Sequence, residues 1–89
     1  NAWIIPFDSD CIDYAIRVSE VLRENNVICD VYYENKGFKQ KMKYANRLGV
    51  PYIIILGSDE KRDNLVTVKN METGSQETID FALLKDYFK

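Results

Sequence analysis

The stretch Tyr52-Ile53-Ile54-Ile55-Leu56 constrains the fold of this chain more than any other. Pro51 precedes it and Gly57 follows it, so the run has the length of a strand and is too short for a helix. Three of its residues are β-branched, and it is apolar on both faces. Such a strand belongs in the middle of a sheet with helices covering each side.

The flanking sequence supplies those layers. Ala2 to Phe7 is a short apolar strand with Pro6 near its end. Asp8 or Ser9 is placed to cap a helix, with Asp10 and Asp13 near its positive end. In that helix Cys11, Ala15, Val18 and Leu22 form a stripe, widened by Ile12, Tyr14 and Ile16, and Asn25-Asn26 ends it. Val27 to Tyr33 alternates as a second strand, and Glu34 to Gly37 is a turn. Phe38, Met42, Ala45 and Leu48 predict the inner stripe of a second helix, closed by Gly49 and prevented from continuing by Pro51.

Beyond the central strand, Gly57 to Asn64 reads as a polar turn and Leu65 to Asn70 as an alternating strand. A turn at Met71 to Gly74 leads into a short strand, Ser75 to Ile79. Asp80 then caps a last helix, Phe81 to Phe88, with Ala82, Leu83, Leu84, Tyr87 and Phe88 inward. The order β-α-β-α-β-β-β-α, with right-handed crossovers, makes the first three strands parallel and the last two antiparallel. The predicted fold class is α/β, in three layers: a five-stranded mixed sheet in spatial order 2-1-3-4-5 with three helices.

Eighty-nine residues form one small domain, residues 1–89. The chain begins with Asn1, so an excised or processed piece of a larger protein is expected. No apolar run has the roughly 20 residues of a membrane-spanning helix. Cys11 and Cys29 match neither a CxxC nor a metal-ligand spacing; both are expected as buried free thiols, in keeping with a reducing, cytoplasmic setting. Histidine is absent, which removes Ser/His/Asp and Cys/His catalysis and most catalytic zinc sites. The four glycines are isolated, so no phosphate-cradling loop can be built. Asp59 and Glu60 are adjacent acids in a polar segment, where solvation is far commoner than acid–base work. No catalytic residue and no metal ligand is expected.

Net charge is −2, yet Lys36, Lys39, Lys41, Lys43 and Arg47 follow one another with no acidic residue between them. A basic helix on an acidic domain is either a solvated face or a local phosphate-binding patch. Glu60 offers a different chemistry. A carboxylate accepts hydrogen bonds from the amine of cytosine or from the Watson–Crick edge of guanine, and such readout needs unpaired bases. With the predicted strand order, the Gly57–Glu60 turn, Lys69 and the segment Asn35 to Lys39 would line one end of the sheet. Tyr32, Tyr33 and Phe38 would supply an aromatic surface there, although core packing is the commoner fate of Phe38, and one of the two tyrosines should face inward.

Several segments in order resemble the C-terminal anticodon-binding domain of class II aminoacyl-tRNA synthetases for histidine, threonine, proline and glycine. They are Leu22-Arg23 before the second strand, Lys36-Gly37-Phe38-Lys39-Gln40 followed by Tyr44-Ala45-Asn46, and the G-x-x-E turn Gly57-Ser58-Asp59-Glu60. Val66-Thr67-Val68-Lys69-Asn70-Met71 followed by Thr73-Gly74-Ser75-Gln76 is most similar to the histidine branch. Where a family glycine commonly stands, this chain has Asn26. The resemblance covers about Ile12 to Ile79. It implies that the domain grips a tRNA anticodon stem-loop, that of histidine tRNA first, with threonyl- or prolyl-tRNA synthetase or a non-catalytic interaction module as alternatives. Glu60 and Lys69 would then contact bases or backbone, Asn35, Lys36, Lys39 and Gln40 would approach the loop, and Lys43 and Arg47 would join the phosphate contacts. It further implies a cytoplasmic, homodimeric parent ligase whose separate catalytic domain uses ATP and Mg2+. The domain itself would need no cofactor, contact no membrane and be inactive alone.

Overall fold

The computed structural model describes residues 2–7, 9–32 and 37–87, the side chain of residue 38 excepted. Five strands, β1 (Ala2–Pro6), β2 (Cys29–Val31), β3 (Tyr52–Leu56), β4 (Leu65–Asn70) and β5 (Gln76–Asp80), form one sheet in the order β2-β1-β3-β4-β5. β1 pairs in parallel with both β2 and β3, while β3–β4 and β4–β5 are antiparallel. This is the topology expected from the sequence.

Helices lie on both faces. α1 (Ile12–Glu24) and the short C-terminal helix α4 (Leu84–Tyr87) cover one face, where Tyr14, Ala15, Val18, Leu22 and Leu84 pack with Ile4, Ile54, Leu56, Val66 and Val68. α2 (Phe38–Leu48) covers the other face at β1 and β3, with Ala45 and Met42 against Ile5, Ile53, Ile55, Tyr32 and Trp3. The two layers follow from the alternation along β1, where Ile4 points to α1 while Trp3 and Ile5 point to α2. β3 is buried on both sides because it lies in the middle of the sheet, as its unbroken apolar sequence requires.

Several local expectations are corrected. Gly57 to Asn64 is not a plain turn: Ser58–Asp63 forms a helix, α3, closed by Asn64 in the left-handed conformation (φ 56°). The described residues thus hold four α-helices where three were predicted. A six-residue helix with no apolar stripe leaves no periodic signal in the sequence. The second strand is paired only over Cys29–Val31, shorter than Val27 to Tyr33; Tyr33 lies outside the described residues. α1 starts at Ile12 after a 3-10 turn, Ser9–Cys11; its N-cap residue Cys11 makes no side-chain cap hydrogen bond, and Asp8 lies outside the described residues. The last segment is a 3-10 turn, Phe81–Leu83, leading into α4 rather than one continuous helix, and Ala82 and Leu83 are exposed. Leu48, assigned to the inner stripe of α2, is 51% exposed, and Ile16 also faces solvent.

One buried polar tie joins the layers. The Tyr14 hydroxyl donates to the Leu65 carbonyl at 2.9 Å, fastening α1 to the start of β4. Tyr14→Phe removes that donor and leaves the ring in place. Urea unfolding is expected to show a loss of about 1 kcal/mol; an unchanged midpoint would mean that water replaces the hydroxyl.

Both cysteines are free and buried. Burial pushes the Cys29 thiol above its ordinary 9.0 and the Tyr14 phenol above its ordinary 10.0. Both groups therefore hold their protons longer in the folded chain than in the unfolded one. The stability tied to them is fully present below the ordinary values and is lost as pH rises through the raised ones. Unfolding free energy is expected to stay level in this respect from pH 7 to 8.5 and to fall above about pH 9. Cys29→Ser, whose hydroxyl does not titrate there, should remove the earlier part of that fall in urea titrations.

Candidate nucleic-acid interface

α2 covers only part of its face of the sheet. Strand pairing places Ile53 opposite Lys69 and Ile55 opposite Thr67, with Gln76 and Thr78 next in line on β5. Directly paired residues share a face, so Thr67, Lys69, Gln76 and Thr78 lie on the α2 side of the sheet, beside the helix rather than beneath it. Thr67 and Thr78 join across the strands through a hydroxyl–hydroxyl hydrogen bond of 3.0 Å. Val66 and Val68 point to the apolar core on the opposite face. Thr67 is buried, so the open part of this half-face is carried by exposed Gln76 and Thr78 with half-buried Lys69, bordered by one flank of α2.

Helical periodicity decides which flank that is. At 100° per residue, Lys39, Lys43 and Asn46 follow the side of Met42, whereas Gln40, Tyr44 and Arg47 turn toward the opposite side. Packing at both ends of the wheel agrees. Tyr44 stacks edge-on with Trp3 at 5.3 Å and with Tyr32 at 5.8 Å, over the β1–β2 side. Asn46 shares a cavity with Met71 and Glu72, at the end of β4. Lys39 and Lys43 are exposed and, among the described residues, form no ion pair. Together with half-buried Lys69 they border the open face. Gln40 and Arg47 are also exposed but look away from it. Asn35 and Lys36 lie outside the described residues.

Glu60 closes the far end of this face. Its Oε1 accepts the Gly57 backbone N–H at 2.7 Å, satisfying an otherwise unpaired donor at the start of α3. A Cβ on Gly57 would sit 3.0 Å from that oxygen and 3.9 Å from the Cβ of Phe7, so the missing side chain leaves room for the carboxylate beside Phe7. Glu60 is thus held in place and partly buried, unlike the freely solvated acid expected from the sequence. An ionised carboxylate has about four lone-pair sites, so one bond to Gly57 leaves acceptor capacity.

The juxtaposition of Glu60 and Lys69 also differs from expectation. They do not line one end of the sheet. Lys69 pairs with Ile53 near the start of β3, and Gly57 follows the end of that strand. Four residues of strand separate the two levels, roughly 13 Å. Lys69 lies on the α2 side near the start of β3, and Glu60 stands on α3 beyond the end of that strand.

The basic segment is divided further by Lys41. Its side chain is 5% exposed, donates to the Pro6 carbonyl at 3.0 Å and lies 5.8 Å over the Tyr32 ring. Lys41 is therefore a structural cation joining α2 to the end of β1, not a surface charge. Its angular position between Ala45 and Leu48 on the helix is the sequence signal that marks it. Tyr32 is correspondingly buried. On α3 the cations are engaged: Lys61 pairs with Asp13 at 3.1 Å, and Arg62 with Asp59 and Asp63.

The whole chain, residues 1–89, matches the family model described as anticodon binding domain. The chain belongs to that family. The anticodon-binding domain found here is 44% identical over 79 residues to a histidine–tRNA ligase of Clostridium tetani, covering 89% of this chain and 18% of that protein. It is 38% identical over 82 residues to the enzyme of Aquifex aeolicus, covering 92% of this chain and 20% of that one. The structure of apo histidyl-tRNA synthetase from Staphylococcus aureus superposes over the full chain with a TM-score of 0.87 at 36% identity, covering 26% of that chain. The RNA-binding domain of threonyl-tRNA synthetase from Cryptosporidium parvum has a TM-score of 0.92 at 22% identity over 99% of this chain and 22% of that one, a likeness of fold. The anticodon-binding domain thus spans about a fifth of the length of the histidine–tRNA ligases it matches.

Among the described residues no three acidic, cysteine or histidine side chains gather to hold a metal, and no glycine-rich loop is present. No helix of the described residues is long and apolar enough to cross a membrane.

Proposed function

We propose that this domain binds the anticodon loop of histidine tRNA as part of a cytoplasmic, homodimeric histidine–tRNA ligase. The observation that carries the reading is the open half-face of β4 and β5, set between Lys39 and Lys43 on one flank of α2, with Lys69 within it and Glu60 at its end. Lysines along the rim suit phosphates, and Glu60 with exposed Thr78 suits unpaired base edges. The identity to histidine–tRNA ligases across most of the chain supports histidine as the cognate amino acid. Adenylate formation with ATP and Mg2+ belongs to the remainder of the parent enzyme, and the domain alone does not ligate.

The test is titration of the chain with anticodon stem-loops of histidine, threonine and proline tRNA under one salt condition. Histidine is expected to bind tightest. Equal affinity for all three would leave a non-selective module, and tighter threonine binding would reassign the domain.

A further inference from the structure

We propose that the cleft between β2 and the flank of α2 carrying Tyr44 and Leu48 is where the remaining part of the parent ligase docks. The inference rests on the ligase reading above and assigns a surface to it.

α2 packs over β1 and β3, and β2 lies beside it at the edge of the sheet. Asp30 pairs with Trp3, which packs under α2, so both lie on the α2 side. Alternation puts Ile28, just before β2, on that side too. Between the helix and the strand runs a cleft of about 280 Å³, lined by Trp3, Ile28, Asp30, Leu48 and Val50. Tyr44 stands one turn before Leu48 on the same flank, edge-on to Trp3. Six large apolar side chains of the described residues are exposed, and three of them, Ile28 (75%), Tyr44 (41%) and Leu48 (51%), border this one cleft. A contiguous apolar patch with polar groups at its rim marks an interaction surface.

Charge decides between RNA and protein as the occupant. Lys39 and Lys43 border the other flank of α2, toward the open β4–β5 face with Lys69. At the cleft stands Asp30, an exposed carboxylate that forms no ion pair among the described residues and repels phosphate. An apolar cleft with an acid at its rim suits a polypeptide. In the matched histidine–tRNA ligases about four-fifths of the length lies outside this domain. Ala2, the first residue of β1, lines the cleft as well, so sequence joined to that end of β1 emerges at its mouth. A tethered neighbour has a high effective concentration there, and a modest interface suffices to hold it. Docking at this cleft leaves the open β4–β5 face clear for the anticodon loop.

The experiment is iodoacetamide labelling of Leu48→Cys and Lys39→Cys, each in the parent ligase and in this chain alone, with peptide mass mapping to separate them from buried Cys11 and Cys29. Thermal unfolding checks the fold of each variant. In the chain alone the two positions are expected to label at similar rates. In the parent ligase Leu48→Cys should label about tenfold or more slowly than in the chain alone, a docking equilibrium of about 1.4 kcal/mol, while Lys39→Cys keeps its rate. Equal rates for Leu48→Cys in the two settings overturn the docking site and leave the ligase reading standing. Protection in the chain alone that grows with its concentration assigns the cleft to a second copy, and protection of Leu48→Cys by an added anticodon stem-loop assigns it to RNA; either overturns the proposal. Failure of the parent chain to charge histidine tRNA overturns the ligase reading, and the proposal with it.

Discussion

Reversing two charges on the α2 flank, Lys39→Glu with Lys43→Glu, is expected to weaken binding of the histidine anticodon stem-loop by about 25-fold or more at 0.1 M salt. The figure follows from counterion release: each phosphate neutralised on a single strand contributes a slope of about 0.7 in log affinity against log salt, and two contacts are lost. The same variant should lower that slope by about 1.4, a signature that a folding defect does not produce. Both residues are exposed and outside the core, so stability should change by less than about 0.5 kcal/mol. Arg47→Glu provides the control. Arg47 lies on the Tyr44 side of the helix, away from the open face, and its reversal should cost clearly less. Equal losses for Arg47 and for the lysine pair would show that RNA approaches over the top of α2 rather than along its β4 flank. No change for the lysine pair would remove the basic helix from the interface.

A comparison of two leucines carries the largest expected effect on stability. Leu22 and Leu48 occupy equivalent places in their predicted helical stripes, yet Leu22 is fully buried against the sheet and Leu48 is half exposed. Leu22→Ala is expected to cost about 2–5 kcal/mol through lost burial and the cavity left behind. In a domain of this size each kcal/mol lowers the melting temperature by roughly 4–8 °C, so a fall of 10 °C or more should be plain in a thermal scan. Leu48→Ala should cost under about 1 kcal/mol. Similar losses at the two positions would mean that Leu48 is covered in the folded domain. Small losses at both would mean that the α1 layer tolerates collapse around the missing side chain.

These contrasts mark where the sequence was legible. Tyr52–Leu56 announced a central strand because no other environment suits an uninterrupted apolar run between Pro51 and Gly57. The stripe Cys11, Ala15, Val18 and Leu22 was equally plain, and all four are buried. α3 was hidden because its stability comes from the Glu60 cap and the Lys61–Asp13 tie, not from an apolar face. The Glu60–Lys69 relation was misjudged because loop proximity was inferred without the antiparallel register, which moves Lys69 back toward the start of β3. Lys41 counted as one more surface charge until tertiary packing placed it against Pro6 and Tyr32.

The sequence by itself determined the order of elements, the parallel and antiparallel pairings, the two-layer helical cover and membership of the anticodon-binding family. Hydrophobic period, turn residues and motif order are local properties, and they suffice for those conclusions. Only the tertiary structure decided which lysines face the open sheet, that Glu60 is anchored to a backbone N–H, and that Lys41 is buried against Pro6 and Tyr32. Those facts depend on which face each strand presents and how far each residue lies along it. Spacing in the chain leaves both undetermined until the neighbouring strands and helices have docked.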